Sequence, residues 1–153
     1  MKKYSYVLFC VALLMLFLTA CKGSKKETDY ETVNNFEGVT MTVKEETVSS
    51  TGLTVIFENN SDKQGVYGDF FMLEKESNGQ WYEVPVRIAG NYGFDDIGYD
   101  LFPSDIQEWP VDWEWLYGTL DSGTYRIVKD MLDFRKAGDF DTYYLAAQFT
   151  IAE

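Results

Sequence analysis

Residues 121–127 read Asp121-Ser122-Gly123-Thr124-Tyr125-Arg126-Ile127, and the form D-x-G-x-Y-x-apolar decides the fold. A tyrosine at the start of a strand, two residues after a glycine turn, suits a tyrosine corner. There the hydroxyl bonds back to backbone just upstream, at a corner of a two-sheet antiparallel sandwich. The alternative is an ordinary glycine turn ahead of a strand; the number of strands around it favours the corner. Disulfide-bonded sandwiches carry a cysteine two residues beyond this tyrosine. Here that residue is Ile127, so an apolar pair, such as Ile127 against Val55, is expected to replace the bridge.

Working outward, the hydrophobic pattern has period two on both sides. Trp109, Val111, Trp113, Trp115 and Tyr117 share one parity, with Pro110, Asp112 and Glu114 on the other, which predicts a strand. Tyr143, Leu145, Ala147, Phe149 and Ile151 predict the last strand, after a polar turn at Lys136 to Asp141. The intervening Lys129 to Lys136 has room for a short helical turn. Further upstream, Val39, Met41 and Val43 alternate with Thr40, Thr42 and Lys44, and Leu53, Val55 and Phe57 make a second such run. Asp69 to Glu76 is apolar on both faces and reads as a central strand. Asn78-Gly79 is a strong hairpin signal leading into Trp81 to Val86. Pro85 cannot donate to a ladder, so that strand ends there or lies at an edge. The sum is an all-β chain, an antiparallel sandwich of about seven strands.

The N-terminus carries an address. Lys2-Lys3 precede an apolar run from Val7 to Leu18, the layout of a secretion signal and too short for a comfortable membrane span. Leu18-Thr19-Ala20-Cys21 follows as a lipobox: an aliphatic residue, two small ones and a cysteine to be acylated. An uncleaved anchor helix is the competing reading; a cysteine at the small-residue cleavage site favours the lipobox. The division expected is a signal peptide at 1–20, a lipidated Cys21 and flexible tether over 21–37, and a β-sandwich over 38–153. Stable attachment needs more than one acyl chain, and proteins resembling this one carry a diacylglyceryl group. The partner this implies is a bacterial membrane, reached through the lipid. The location is extracytoplasmic.

Composition narrows the chemistry. There is no histidine, and the only cysteines are Cys10, inside the signal, and Cys21. Ser-His and Cys-His nucleophiles and His-rich zinc sites are therefore excluded. No glycine loop suits a nucleotide, and no cofactor is expected. The formal charge of −12 disfavours nucleic acid as a partner. Paired carboxylates, as in a cell-wall hydrolase, are the one catalytic option left. With 25 acids in the chain some pair will stand at a suitable spacing by chance, so a non-enzyme is expected.

Residues 87–108 hold Gly90, Gly93 and Gly98 without alternation and are too long for an idle connection. Tyr92, Phe94, Asp95, Asp96, Tyr99 and Asp100 are the candidate ligand-binding residues. Flat rings beside carboxylates suit sugar stacking or a protein interface; the competing reading is that the rings plug one end of the sandwich. Asp95, Asp96 and Asp100 are also calcium candidates, although their spacing is not that of an EF-hand and a solvated acidic face explains them as well. Trp113, Tyr117, Gly123 and Tyr125 are read as structural.

The run Trp113-x-x-x-Tyr117-Gly118-x-Leu120-x-x-Gly123-x-Tyr125-Arg126-Ile127-x-Lys129 resembles the signature of the group-fourteen bacterial Ig-like domains. Tyr67-Gly68-x-x-Phe71-x-Leu73-Glu74 and Trp81-Tyr82-x-Val84-Pro85 fit it as well, so the resemblance covers about residues 38–153. It implies an Ig-like sandwich on a surface lipoprotein and supplies no functional residues. Three functions follow as expectations. The first is a non-enzymatic module binding a protein or glycan through 87–108. The second is a structural or regulatory subunit of a membrane complex, touching its partner through the sheet edge at Trp81 to Val86. The third is the carboxylate hydrolase.

Overall fold

The computed structural model describes residues 25–152; the signal segment, the lipobox and Cys21 lie outside them. Nine strands run β1 (Val39–Val43), β2 (Gly52–Asn59), β3 (Gly65–Tyr67), β4 (Met72–Ser77), β5 (Gln80–Glu83), β6 (Tyr99–Leu101), β7 (Ile106–Asp112), β8 (Gly123–Lys136) and β9 (Asp139–Ile151). One sheet has the order β1-β2-β7. The other is built on β8, which pairs with β9 along one edge and with β4 and then β3 along the other. β5 and β6 extend it beyond β4 and β3. All pairings are antiparallel, and the two sheets form a sandwich.

Between the sheets lies an aromatic core. Phe57 of β2 meets Tyr67 of β3 at 4.5 Å between ring centroids, and Trp113 meets Phe149 of β9 at 5.4 Å. Val55 and Ile127 are both fully buried in the same cluster. Tyr125 donates its hydroxyl hydrogen bond to the Asp121 carbonyl at 2.9 Å, the bond of a tyrosine corner. The hairpin between β4 and β5 turns at Asn78 and Gly79, both with positive φ, as its tight turn requires.

Several sequence expectations need correction. The strand expected over Trp109 to Tyr117 ends at Asp112. Asp112 accepts the Glu114 N–H at 2.8 Å and turns the chain into a short helix, α1 (Glu114–Tyr117). Helical spacing then buries Leu116 and Tyr117 and leaves Trp115 outside, although it shares strand parity with Trp113. Lys129 to Lys136 is not a helical turn but the second half of β8. The strand count rises from seven because β3 and β6 are three residues each, too short to show a period.

The spacer expected before the domain is packed against it from Lys25 onward. Thr28 donates to the Trp81 carbonyl and Glu83 to that of Lys26, so this segment pairs with β5. Asn34 bonds both ways with Ala146 of β9, and Phe36 is only 2 % exposed. The cause is β8, whose residues from Tyr125 to Lys129 are all buried. Tyr125, Ile127 and Lys129 share one parity; Arg126, on the other, bonds to Thr28 and Tyr30 of the segment. Among the described residues every buried residue of the apolar core lies between Phe36 and Phe149, so residues 22–153 carry all of that core.

Candidate aromatic–carboxylate cleft

After β5 the chain runs through Val84 to Gly98 without regular pairing and returns as β6. Val84 donates its backbone N–H to the Leu73 carbonyl at 2.9 Å. Arg87 donates its backbone N–H to the Leu116 carbonyl at 2.9 Å. The ring of Phe94 sits among four others: Phe70 at 5.4 Å, Phe71 at 5.6 Å, Trp115 at 5.6 Å and Tyr92 at 6.4 Å, all edge-on. Edge-to-face contacts are worth roughly 0.5–1.5 kcal/mol each beyond area burial. Phe94 thus anchors the loop to the core. Its neighbours Phe70, Tyr92 and Trp115 stay 38 %, 47 % and 47 % exposed, although large rings are usually covered.

Beside these rings opens a cleft of about 270 Å³. Phe71, Trp109 and Val111 line it together with Phe94 and Trp115, and Asp69, Asp95 and Asp112 supply carboxylates. Asp112 is partly engaged by the Glu114 N–H. The nearby Asp69 carboxylate raises the pKa of the Tyr99 phenol above its ordinary value, helped by partial desolvation.

A buried cation braces this end of the sandwich. The Lys129 side chain is fully buried, and its ammonium donates to the Phe70 carbonyl and to Asp130. It lies 5.4 Å from the Trp109 ring centroid and 6.0 Å from that of Tyr67. Desolvation pushes its pKa below the usual lysine value, against the opposing pull of Asp130 and Asp69. The bond to the Phe70 carbonyl holds the bend that presents Asp69 and Phe71 to the cleft.

The candidate residues are only partly gathered. Phe94 and Asp95 line the cleft and Tyr92 stands against Phe94. Asp96 does not line it. Tyr99 and Asp100 belong to β6, where Tyr99 packs on Tyr67 at 5.4 Å and Asp100 accepts from Gln64 at 2.7 Å. Asp95, Asp96 and Asp100 therefore form no calcium cage, and among the described residues no three acidic side chains are grouped to hold a metal ion. Sequence reasoning missed Asp69, Phe70, Trp109, Asp112 and Trp115. Their signals were present, in the paired Phe70-Phe71 and in the tryptophans flanking Asp112, but alternation assigned them to strands.

An all-antiparallel sandwich with a tyrosine corner and a loop-borne cleft at one end defines an Ig-like class of domain. The profile of the bacterial Ig-like domain family matches residues 35–150, and the chain belongs to that family. The match begins just before Phe36, where the buried core begins. No curated protein and no solved structure matches the chain. Domains of this family are typically extracellular or surface-exposed. Among the described residues no helix is long and apolar enough to cross a membrane.

Proposed function

We propose that this protein is a lipid-anchored, extracytoplasmic Ig-like module, non-enzymatic, which binds a glycan or protein at the cell surface through the Phe94 cleft. The observation that carries the binding half is the joint exposure of Phe70, Tyr92 and Trp115 around a concave site holding Asp69 and Asp95. Flat rings cover the apolar face of a sugar or a partner side chain, and carboxylates accept hydrogen bonds from hydroxyls or amides. The anchor rests on the sequence, through Lys2-Lys3, the apolar run and the lipobox at Cys21. The accessory-subunit reading would use the sheet edge at Trp81 to Val86, of which Trp81 to Glu83 pairs with Lys26 to Thr28.

Two experiments test this. Metabolic labelling with an alkyne fatty acid should tag the wild-type chain and not Cys21→Ala; equal labelling of both would remove the anchor. Thermal unfolding of residues 22–153 against cell-wall glycan fragments and extracellular protein fractions should show stabilisation by a member of one set. Trp115→Ala should abolish that stabilisation. A shift unaltered by Trp115→Ala would place binding elsewhere.

A further inference from the structure

A second cavity, of about 700 Å³, lies between the N-terminal segment, β5 and the corner at Asp121. Its size falls within the roughly 300–1,000 Å³ of small-ligand sites. Val84, Val86, Leu120, Tyr117 and Tyr125 give it an apolar wall. Its charged lining runs against the rest of the molecule: Lys25, Lys26, Lys75 and Arg87 face only Glu83 and Asp121, in a chain of net charge −12.

Lys26 is paired with Asp29 and Glu83, but the other three cations are left without acids. Among the described residues four lysines and arginines make no salt bridge, and three of the four, Lys25, Lys75 and Arg87, line this cavity. Lys75 donates to the Ser122 carbonyl at 3.1 Å and lies 4.9 Å from the Tyr125 ring centroid, which leaves ammonium donors unused. Two glycines make room for the cationic chains. A Cβ at Gly123 (φ +150°) would stand 2.8 Å from Cε of Lys75, and one at Gly118 (φ +69°) 2.9 Å from Cδ of Arg87. Each cationic stem therefore lies against bare backbone, and both glycines hold a φ that other residues rarely adopt.

We infer that this cavity binds an amphiphile with a phosphate or carboxylate head on a short apolar body. Arg87 and Lys75 hold the head, Arg87 with the forked donors that fit such oxyanions. Val84, Val86 and Leu120 cover the body. The site is separate from the Phe94 cleft and stands or falls independently of it.

The test uses residues 22–153 with hexyl phosphate as probe, followed by the amide NMR signals of Val86, Arg87 and Leu120. Saturable shifts there are expected, with inorganic phosphate and hexanol each binding at least tenfold more weakly. The variant Lys75→Gln/Arg87→Gln should weaken hexyl phosphate at least tenfold while its melting temperature stays near wild type. Trp115→Ala should leave this binding unchanged. Absence of saturation, equal shifts with hexanol, or indifference to the double variant would overturn the proposal. Phosphatidylglycerol vesicles that compete with hexyl phosphate, where phosphatidylcholine vesicles do not, would assign the head group to a membrane lipid. Failure of both to compete would assign a soluble amphiphile.

Discussion

Replacing Arg126 by methionine removes one half of a buried ion pair, and the structure sets the size of the loss. Glu74 is fully buried and Arg126 is 6 % exposed. The Arg126 Nε donates to Glu74 Oε2, and Nη2 donates to Thr28 Oγ1 and to the Tyr30 carbonyl, both at 3.2 Å. The guanidinium also lies 4.7 Å from the Trp81 ring centroid. Glu74 Oε1 has no hydrogen-bond partner among the described residues, so without Arg126 the whole carboxylate is uncompensated. Removing one partner of such a pair costs about 3–5 kcal/mol. For a domain of this size that corresponds to roughly 10–20 °C in melting temperature. Urea unfolding at pH 7 measures the first quantity and calorimetry the second. The loss should be accompanied by faster tryptic cleavage at Lys25 and Lys26, since Arg126 also holds their segment. A buried pair is often replaceable by apolar residues of similar volume, so Glu74→Leu with Arg126→Met should recover at least half the loss. The reasoning is refuted if Arg126→Met costs less than about 1 kcal/mol, or if the double variant is no better than the single.

Burial raises the pKa of Tyr117 from 10.0 to about 12, against a lowering by the Leu73 N–H that its hydroxyl accepts. Between these values the unfolded chain releases a proton that the folded chain keeps, so stability should fall with rising pH, by at most about 1.4 kcal/mol per unit. Tyr117→Phe should lack that part of the fall, read as the difference in slope between the two proteins. Phe94→Ala, which empties the centre of the aromatic cluster, should cost about 2–4 kcal/mol in urea unfolding, somewhat less than for a fully enclosed ring. Exposed Trp115→Ala should cost under about 1 kcal/mol and act on binding instead. Tyr125→Phe removes the bond to Asp121 and should cost about 1 kcal/mol by the same assay; a neutral result would mean that the corner bond does not support the fold.

What could be read from the chain alone divides along local and distant causes. The hairpin at Asn78-Gly79 and the corner at Tyr125 were legible because their determinants are adjacent in sequence: two positive-φ positions in one case, a bond across four residues in the other. The docking of residues 25–36 was not. The segment is polar, and what holds it is Arg126, nearly a hundred positions away, and the edge of β5. The fate of Trp115 was hidden for a different reason. Its parity continues the strand, but the chain turns into a helix where the Asp112 side chain accepts the Glu114 N–H, which reverses which residues face inward. Phe94 and Asp95 stood out among glycines, whereas Asp69, Phe71 and Trp109 became part of the cleft only when the fold brought the start of β4 against β7. Lys129 closes the family-signature run, but nothing in the sequence marked it as buried, since a lysine on the inner parity of a strand contradicts the usual pattern. It is tolerated because a carbonyl, a carboxylate and two aromatic faces surround it.

The central claim is that the Phe94 cleft is the binding face of this domain. Its most direct test is photo-crosslinking in living cells from benzoylphenylalanine placed at Trp115, with Phe140 as the control, an exposed ring at the start of β9. The account predicts a discrete adduct from position 115, lost on Tyr92→Ala or Asp95→Ala, and none from position 140. Equal adducts from both positions, or none from position 115, would contradict it.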